Sequence, residues 1–195
     1  MHRNKATVHA SQSNHPGQPL LDLVVFDQVD KLVVSIIAAN LQAVAGLNTH
    51  ILPSMVPPDD AYVPVRGQFD ATIIIKKLAA IDDGAPFKLG IITHDLCSPI
   101  LSFVYGESQL GGKAALVSLH RLFDDNPETY YQRAAKISLH EVGHLLGLGH
   151  CWENFCLMHF SSNIEALDSL SISFCPACEY EINRCLTSIT VGGDE

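Results

Sequence analysis

Apolar and polar positions alternate in blocks along the first two thirds of the chain, and the block lengths predict strands and helices in turn. Residues 20–26 (LLDLVVF) form a short, nearly continuous apolar run, the pattern of a strand covered on both faces. From Asp30 the spacing changes: Leu32, Val33, Ile36, Ile37, Ala39 and Val44 recur at helical intervals, with Asp30 as the cap and Gly46 as the stop. Residues 47–52 read as a second strand. Pro53, Pro57, Pro58 and Pro64 then remove backbone donors and fix φ, so 53–67 is expected to be a loop. Asp70 caps a second helix, expected to run to about Ile81 and to stop at Asp82-Asp83-Gly84. Three further strand-like runs follow, at 88–93, 102–106 and 114–122. Helices between the early strands and short loops between the later ones predict an α/β (α+β) chain. Its mixed sheet would be parallel at first, with one late antiparallel strand.

The first 19 residues, MHRNKATVHASQSNHPGQP, carry no such pattern. Their Ser, Gln, Asn and Gly content reads as a disordered tail, with His2, His9 and His15 as weak candidates for metal binding or targeting. Residues 20–195 are then expected to form a single domain, with an upper subdomain at 20–147 and a lower one at 148–195. A chain of 195 residues can bury roughly 70% of its unfolded surface, so its core needs no disulfides. There is no run of about 18 apolar residues to span a bilayer and no apolar secretion segment. With 12 Lys+Arg against 21 Asp+Glu, the net charge of −9 argues against nucleic acid and against an anionic membrane surface as partners. The expectation is a cytoplasmic monomer.

The chemistry concentrates in LHEVGHLLGLGH, where His140, Glu141, His144, Gly147 and His150 stand in the pattern HExxHxxGxxH. Residues four apart share one helical face about 6 Å along the axis, so His140 and His144 can aim at one ion. His150 would lie about 15 Å beyond His140 on a straight helix, so the chain must stop and fold back. Gly147 is where it can, because glycine takes positive φ without a Cβ penalty. Three imidazoles leave a fourth tetrahedral position for water, the arrangement of a catalytic zinc. Glu141 points elsewhere on the helix and can reach that water as general base for attack on a carbonyl, later passing the proton to a leaving amine. Leu139, Val142, Leu145 and Leu146 are the apolar face that packs the helix on the sheet.

Cysteines follow at Cys151-x4-Cys156-x18-Cys175-x2-Cys178. Two short pairs separated by a loop suit a closed four-thiolate zinc site, which would be structural; two disulfides are the alternative. This gives two zinc ions per chain. Cys97 and Cys185 are left over as buried apolar thiols, although Cys185 shares a helical face with Cys178 and is conceivable as a substitute ligand.

Together, HEVGHLLGLGHCWENFCLM and CPAC resemble the signature of the archaemetzincin family of zinc metallopeptidases. THDLCSPILSFVYGES and AALVSLHRL are similar to the strands that precede the active-site helix in that family, so the likeness covers most of the chain beyond about Gly67. The resemblance implies a metzincin-like twisted mixed five-stranded sheet packed on helices. The active-site helix would floor a cleft and one antiparallel edge strand would form its upper rim. It also implies that Met158 is the Met-turn residue, an apolar floor beneath the three histidines; by its own chemistry Met158 would be ordinary core. The gap of eight residues from His150 is short for metzincins at large but shared by archaemetzincins, and the four-cysteine zinc would brace the short lower part.

The rim strand is assigned to 102–106, making Phe103, Val104, Tyr105 and Gly106 candidate substrate-binding residues. An exposed edge offers unpaired N–H and C=O groups to which a peptide could add as a further strand; a covered edge is the alternative. Trp152, Phe155, His159 and Phe160 either shape the pocket or fill the lower subdomain. The expected activity is zinc-dependent peptide hydrolysis. A zinc-stabilised peptide-binding protein with negligible turnover, and a hydrolase of another amide, remain alternatives, and Glu141 favours an enzyme because a binder needs no base. An aminopeptidase would need an anchor for the substrate amine, for which Glu107, Asp95 and Glu153 are unplaced candidates.

Overall fold

The computed structural model describes residues 20–82 and 84–191, so the expected amino-terminal tail lies outside the described residues. The elements run β1 (Leu21–Val25), α1 (Lys31–Ala45), β2 (Thr49–Ile51), β3 (Tyr62–Val63), β4 (Gln68–Asp70), α2 (Ala71–Ala79), β5 (Phe87–Ile92), β6 (Leu96–Cys97), β7 (Gly106–Ser108) and β8 (Ala114–Ser118). The helices α3 (Pro127–Leu145), α4 (Ile164–Ser169) and α5 (Pro176–Val191) follow. Asp30, Asp70 and Asn126 cap the first three helices: each side-chain oxygen accepts the backbone N–H two residues on, satisfying a donor that the helix itself leaves unpaired.

The main sheet has five strands in the order β2-β1-β5-β8-β7. All pairs are parallel except β7–β8, which is antiparallel, as the block pattern predicts. Alternation divides the core in two. Leu21, Leu23, Leu89, Ile91, Ala115 and Val117 face α1 and α3, while Val24, Ile92, Ala114 and Leu116 face α2. The central strands are buried on both faces, which is why they read as continuous apolar runs rather than as alternation. No described helix is long and apolar enough to cross a membrane.

Three expectations need correction. The proline-rich stretch is not wholly loop: Tyr62–Val63 pairs with Gln68–Asp70, which also pairs with Leu96–Cys97, giving a second, three-stranded sheet. The rim strand spans Gly106–Ser108, not 102–106, so Phe103, Val104 and Tyr105 precede it. Side chains from distant segments draw that part of the chain away from β8. The Arg66 guanidinium donates to the Leu101 and Ser102 carbonyls at 2.9 and 2.8 Å, the Gln68 amide to Ser102 O at 3.0 Å, and the Val104 N–H to Leu96 O. Pairing with β8 begins only where the Ser118 N–H reaches Tyr105 O, at 2.8 Å. The last strand is also shorter than expected, ending at Ser118 before a 3₁₀ turn at His120–Leu122.

At the opposite end of the sheet Asp22 and Lys88 form an almost fully buried ion pair at 3.2 Å, and Asp22 also accepts the Ala85 N–H. Removing one member of such a pair strands the other charge in the core. Asp22→Ala is therefore expected to lower unfolding stability in urea by about 3–5 kcal/mol. Asp60→Ala, which breaks the exposed Lys77–Asp60 pair, should cost no more than about 1 kcal/mol.

Candidate active site

Helix α3 delivers the site. Pro127 opens it with φ already helical and without a lost hydrogen bond, and its last turns carry His140, Glu141 and His144. The chain then reverses at Gly147, whose φ of 93° is closed to most residues. The Gly147 N–H donates to His144 O and the Leu148 N–H to Gly143 O, while Gly111, in the β7–β8 hairpin, also donates to His144 O at 2.9 Å. The helix end is thus sealed and the edge strand is tied to it.

The reversal brings His150 back, so that one ring nitrogen from each of His140, His144 and His150 lies within 4.8 Å of the others. His140 Nδ1 lies 2.8 Å from Leu157 O and His144 Nδ1 lies 2.7 Å from Leu148 O. A carbonyl oxygen only accepts, so both Nδ1 atoms carry the proton and both Nε2 atoms turn a lone pair to the centre. Burial lowers the His140 pKa to about 4 and also lowers that of His144, keeping both neutral, the form that binds metal. The two Nε2 atoms are 3.1 Å apart, against about 3.3 Å for two nitrogens on a tetrahedral zinc.

Glu141 is buried, and its carboxylate lines an open cleft of about 650 Å³ beside the histidines. Burial pushes its pKa up to about 7; a hydrogen bond from Ser108 pulls it down and the charge of Glu107 adds to the rise. A dication on the three imidazoles would draw it back toward the charged form. The cleft is roofed by residues 101–108, and its lower wall is Leu167, Leu170 and Phe160. Arg133, bidentate to Asp168 at 2.8 and 2.7 Å, and Lys136, donating to Leu167 O and Asp168 O, fasten α4 and its leucines to α3.

The second cluster follows directly. The sulfurs of Cys151, Cys156, Cys175 and Cys178 lie within 4.8 Å of one another, and Cys151 Sγ and Cys175 Sγ are 3.8 Å apart. A disulfide would need about 2.05 Å, whereas two thiolates on a tetrahedral zinc sit about 3.8 Å apart. Cys185 is not in the cluster: two turns along α5 from Cys178, it lies about 10 Å further along the axis. Cys97 is buried in β6.

Met158 is fully buried beneath α3. A Cβ on Gly143 would lie 2.4 Å from Met158 Sδ, so the helix between the first two histidines rests directly on the thioether. Of the four residues expected either to shape the pocket or to fill the lower subdomain, Phe160 lines the cleft and packs edge-on to His150 with centroids 5.2 Å apart. His159 Nδ1 instead donates to Cys151 O. Trp152, 94% exposed, and Phe155 do neither.

Of the amine-anchor candidates, Asp95 and Glu153 lose geometric support. Asp95 is held bidentate by Arg121 at 2.7 Å, and Glu153 is outside the cleft lining. Glu107 does line the cleft, but it sits opposite Leu116, whose side chain faces α2, and burial and the nearby Asp70 raise its pKa. Ser108 went unnoticed in the sequence, and only the true bounds of β7 put it on the α3 face.

A three-nitrogen cradle beside a buried carboxylate, in a cleft bordered by a sheet edge, suits attack of water on an extended amide chain, the work of a zinc-dependent peptide hydrolase. Relatives agree. The family model of Peptidase family M54 matches residues 20–184. The archaemetzincin of Methanopyrus kandleri is 40% identical over 129 residues, 66% of this chain and 74% of that one. That of Archaeoglobus fulgidus is 33% identical over 154 residues, 79% of this chain and 93% of that one. The crystal structure of the M. kandleri archaemetzincin superposes with a TM-score of 0.81 at 33% identity, covering 90% of this chain and 99% of that one. The chain belongs to the archaemetzincins, Peptidase family M54, and is a zinc metallopeptidase.

If Met158 supports the helix as its packing indicates, Met158→Ala should lower unfolding stability by about 2–5 kcal/mol. Met158→Leu, which nearly conserves volume, should cost less than about 1.5 kcal/mol in the same denaturation experiment.

Proposed function

We propose that His140, His144 and His150 hold the catalytic zinc, that Cys151, Cys156, Cys175 and Cys178 hold a second, structural zinc, and that Glu141 is the general base. The observation that carries this reading is the pair of Nδ1–H groups given to Leu157 O and Leu148 O, which leaves the Nε2 lone pairs of His140 and His144 turned to each other in the cleft that Glu141 also lines. When bound, zinc polarises the scissile carbonyl and makes a coordinated water acidic at neutral pH. Glu141 accepts the proton of the attacking water and returns it to the nitrogen of the leaving amine.

The peptide lies along the outer edge of β7, its backbone completing the unpaired side of that strand, with Phe103, Val104, Tyr105 and Gly106 forming the roof above it. The four-cysteine site braces the lower subdomain, 148–195, within one domain beginning at residue 20. The acidic chain and its reduced thiols suit a cytoplasmic monomer that acts on peptides and not on nucleic acid.

Metal analysis of the purified chain is expected to give about two zinc ions, falling to about one in Cys156→Ser. Glu141→Gln should keep both ions and lose about 10²–10⁴-fold of peptide cleavage in a library digest read by mass spectrometry. Equal cleavage by Glu141→Gln and the unaltered chain would remove Glu141 from the chemistry.

A further inference from the structure

A buried glutamate on a helix has three side-chain torsions to fix, and α3 itself supplies nothing to fix them. Strand β7 does. Gly106 and Ser108, two residues apart, project to the same face, toward α3. The Ser108 hydroxyl donates to Glu141 Oε2 at 2.8 Å. A Cβ on Gly106 would stand 2.6 Å from Glu141 Cγ and 2.8 Å from Oε1, so the carboxyl group occupies the space left by the missing side chain. The two residues make a socket, one as a hole and the other as a hook.

We propose that Gly106 and Ser108 are positioning residues for catalysis, holding the Glu141 carboxylate in register with the strand against which the substrate backbone lies. The proposal rests on Glu141 being the base. With Oε2 engaged by Ser108, Oε1 is the oxygen left for proton transfer. An O–H bond of the attacking water breaks as the Oε1–H bond forms, and that bond breaks in turn as the N–H of the leaving amine forms. Because one short strand would hold both the base and the peptide, an error in its register moves both, and misplacement by about 1 Å can cost on the order of 10²-fold in rate.

The test uses the zinc-loaded full chain and a quenched-fluorescence peptide chosen from the library digest, with zinc content and Tm measured for every variant. Ser108→Ala is expected to lower kcat by about 10-fold or more, with KM within about twofold and both zinc ions retained, and Ser108→Thr, which keeps the hydroxyl, to recover most of the loss. Gly106→Ala should lower kcat further, on the order of 10²-fold, by displacing the carboxylate. A crystal structure of Ser108→Ala gives a readout independent of turnover: the Glu141 carboxylate should leave β7 by about 1 Å while the three histidines stay in place. A Ser108→Ala protein with unchanged kcat and an unmoved carboxylate, when Glu141→Gln is inactive, overturns the positioning role. A fully active Glu141→Gln would overturn the underlying assignment of the base as well.

Discussion

Everything in the site depends on the chain reversing at Gly147. A helix continuing through that point would carry the third histidine about 15 Å beyond the first, too far for any shared ion. The reversal returns His150 to the centre and does more. It presents Leu148 O to the Nδ1–H of His144, and the segment that follows presents Leu157 O to the Nδ1–H of His140. The segment beyond Gly147 thus supplies the third imidazole, the carbonyls that orient the other two, and, in Met158, the floor beneath Gly143. The cysteine cluster is threaded through the same few residues: Cys151 directly follows His150, and Cys156 directly precedes Leu157. A metal held by those sulfurs would fix the two points of chain on which the histidine geometry rests.

The upper rim is organised by a different means. Residues 101–104 are held outside the main sheet's ladder, by Arg66 and Gln68 side chains that capture the Leu101 and Ser102 carbonyls and by the Val104 N–H given to Leu96 O. Arg121, itself locked to Asp95, lies 4.0 Å over the Phe103 ring, and Phe103 meets Tyr105 edge-on. The roof of the cleft is therefore shaped by a polar network reaching into the second sheet, and the ladder takes over only from Tyr105 onward. Below, Arg133 and Lys136 fasten α4 to the catalytic helix in the same way, with buried cations satisfied by a carboxylate and by backbone oxygens.

Local signals account for most of what the sequence reveals. The capped helices, the doubly buried central strands, the HExxHxxGxxH spacing and the cysteine hooks all lie within short stretches, and each names its own partners. What escapes is carried by contacts between distant residues. The displacement of the rim strand depends on Arg66 meeting Leu101 and Ser102, 35 and 36 residues later, and no pattern within 102–106 records it. That shift has consequences, because a strand's faces alternate residue by residue: the true bounds put Ser108 against Glu141 and set Glu107 opposite Leu116. Cys185, read first as a left-over apolar thiol and only secondarily as a substitute ligand, packs against the core and stays out of the cluster. Periodicity identifies its helical face correctly but says nothing of the two turns that separate it from the other sulfurs.

X-ray absorption at the zinc edge of the metal-loaded chain tests the proposed ligand sets directly. One ion on three imidazoles and another on four thiolates should give a first shell divided about equally between nitrogen or oxygen near 2.0 Å and sulfur near 2.3 Å. In Cys156→Ser the nitrogen and oxygen shell should persist while the sulfur contribution collapses. A wild-type shell of sulfur alone, or loss of the imidazole shell in Glu141→Gln, would contradict the assignment of His140, His144 and His150 to a catalytic ion.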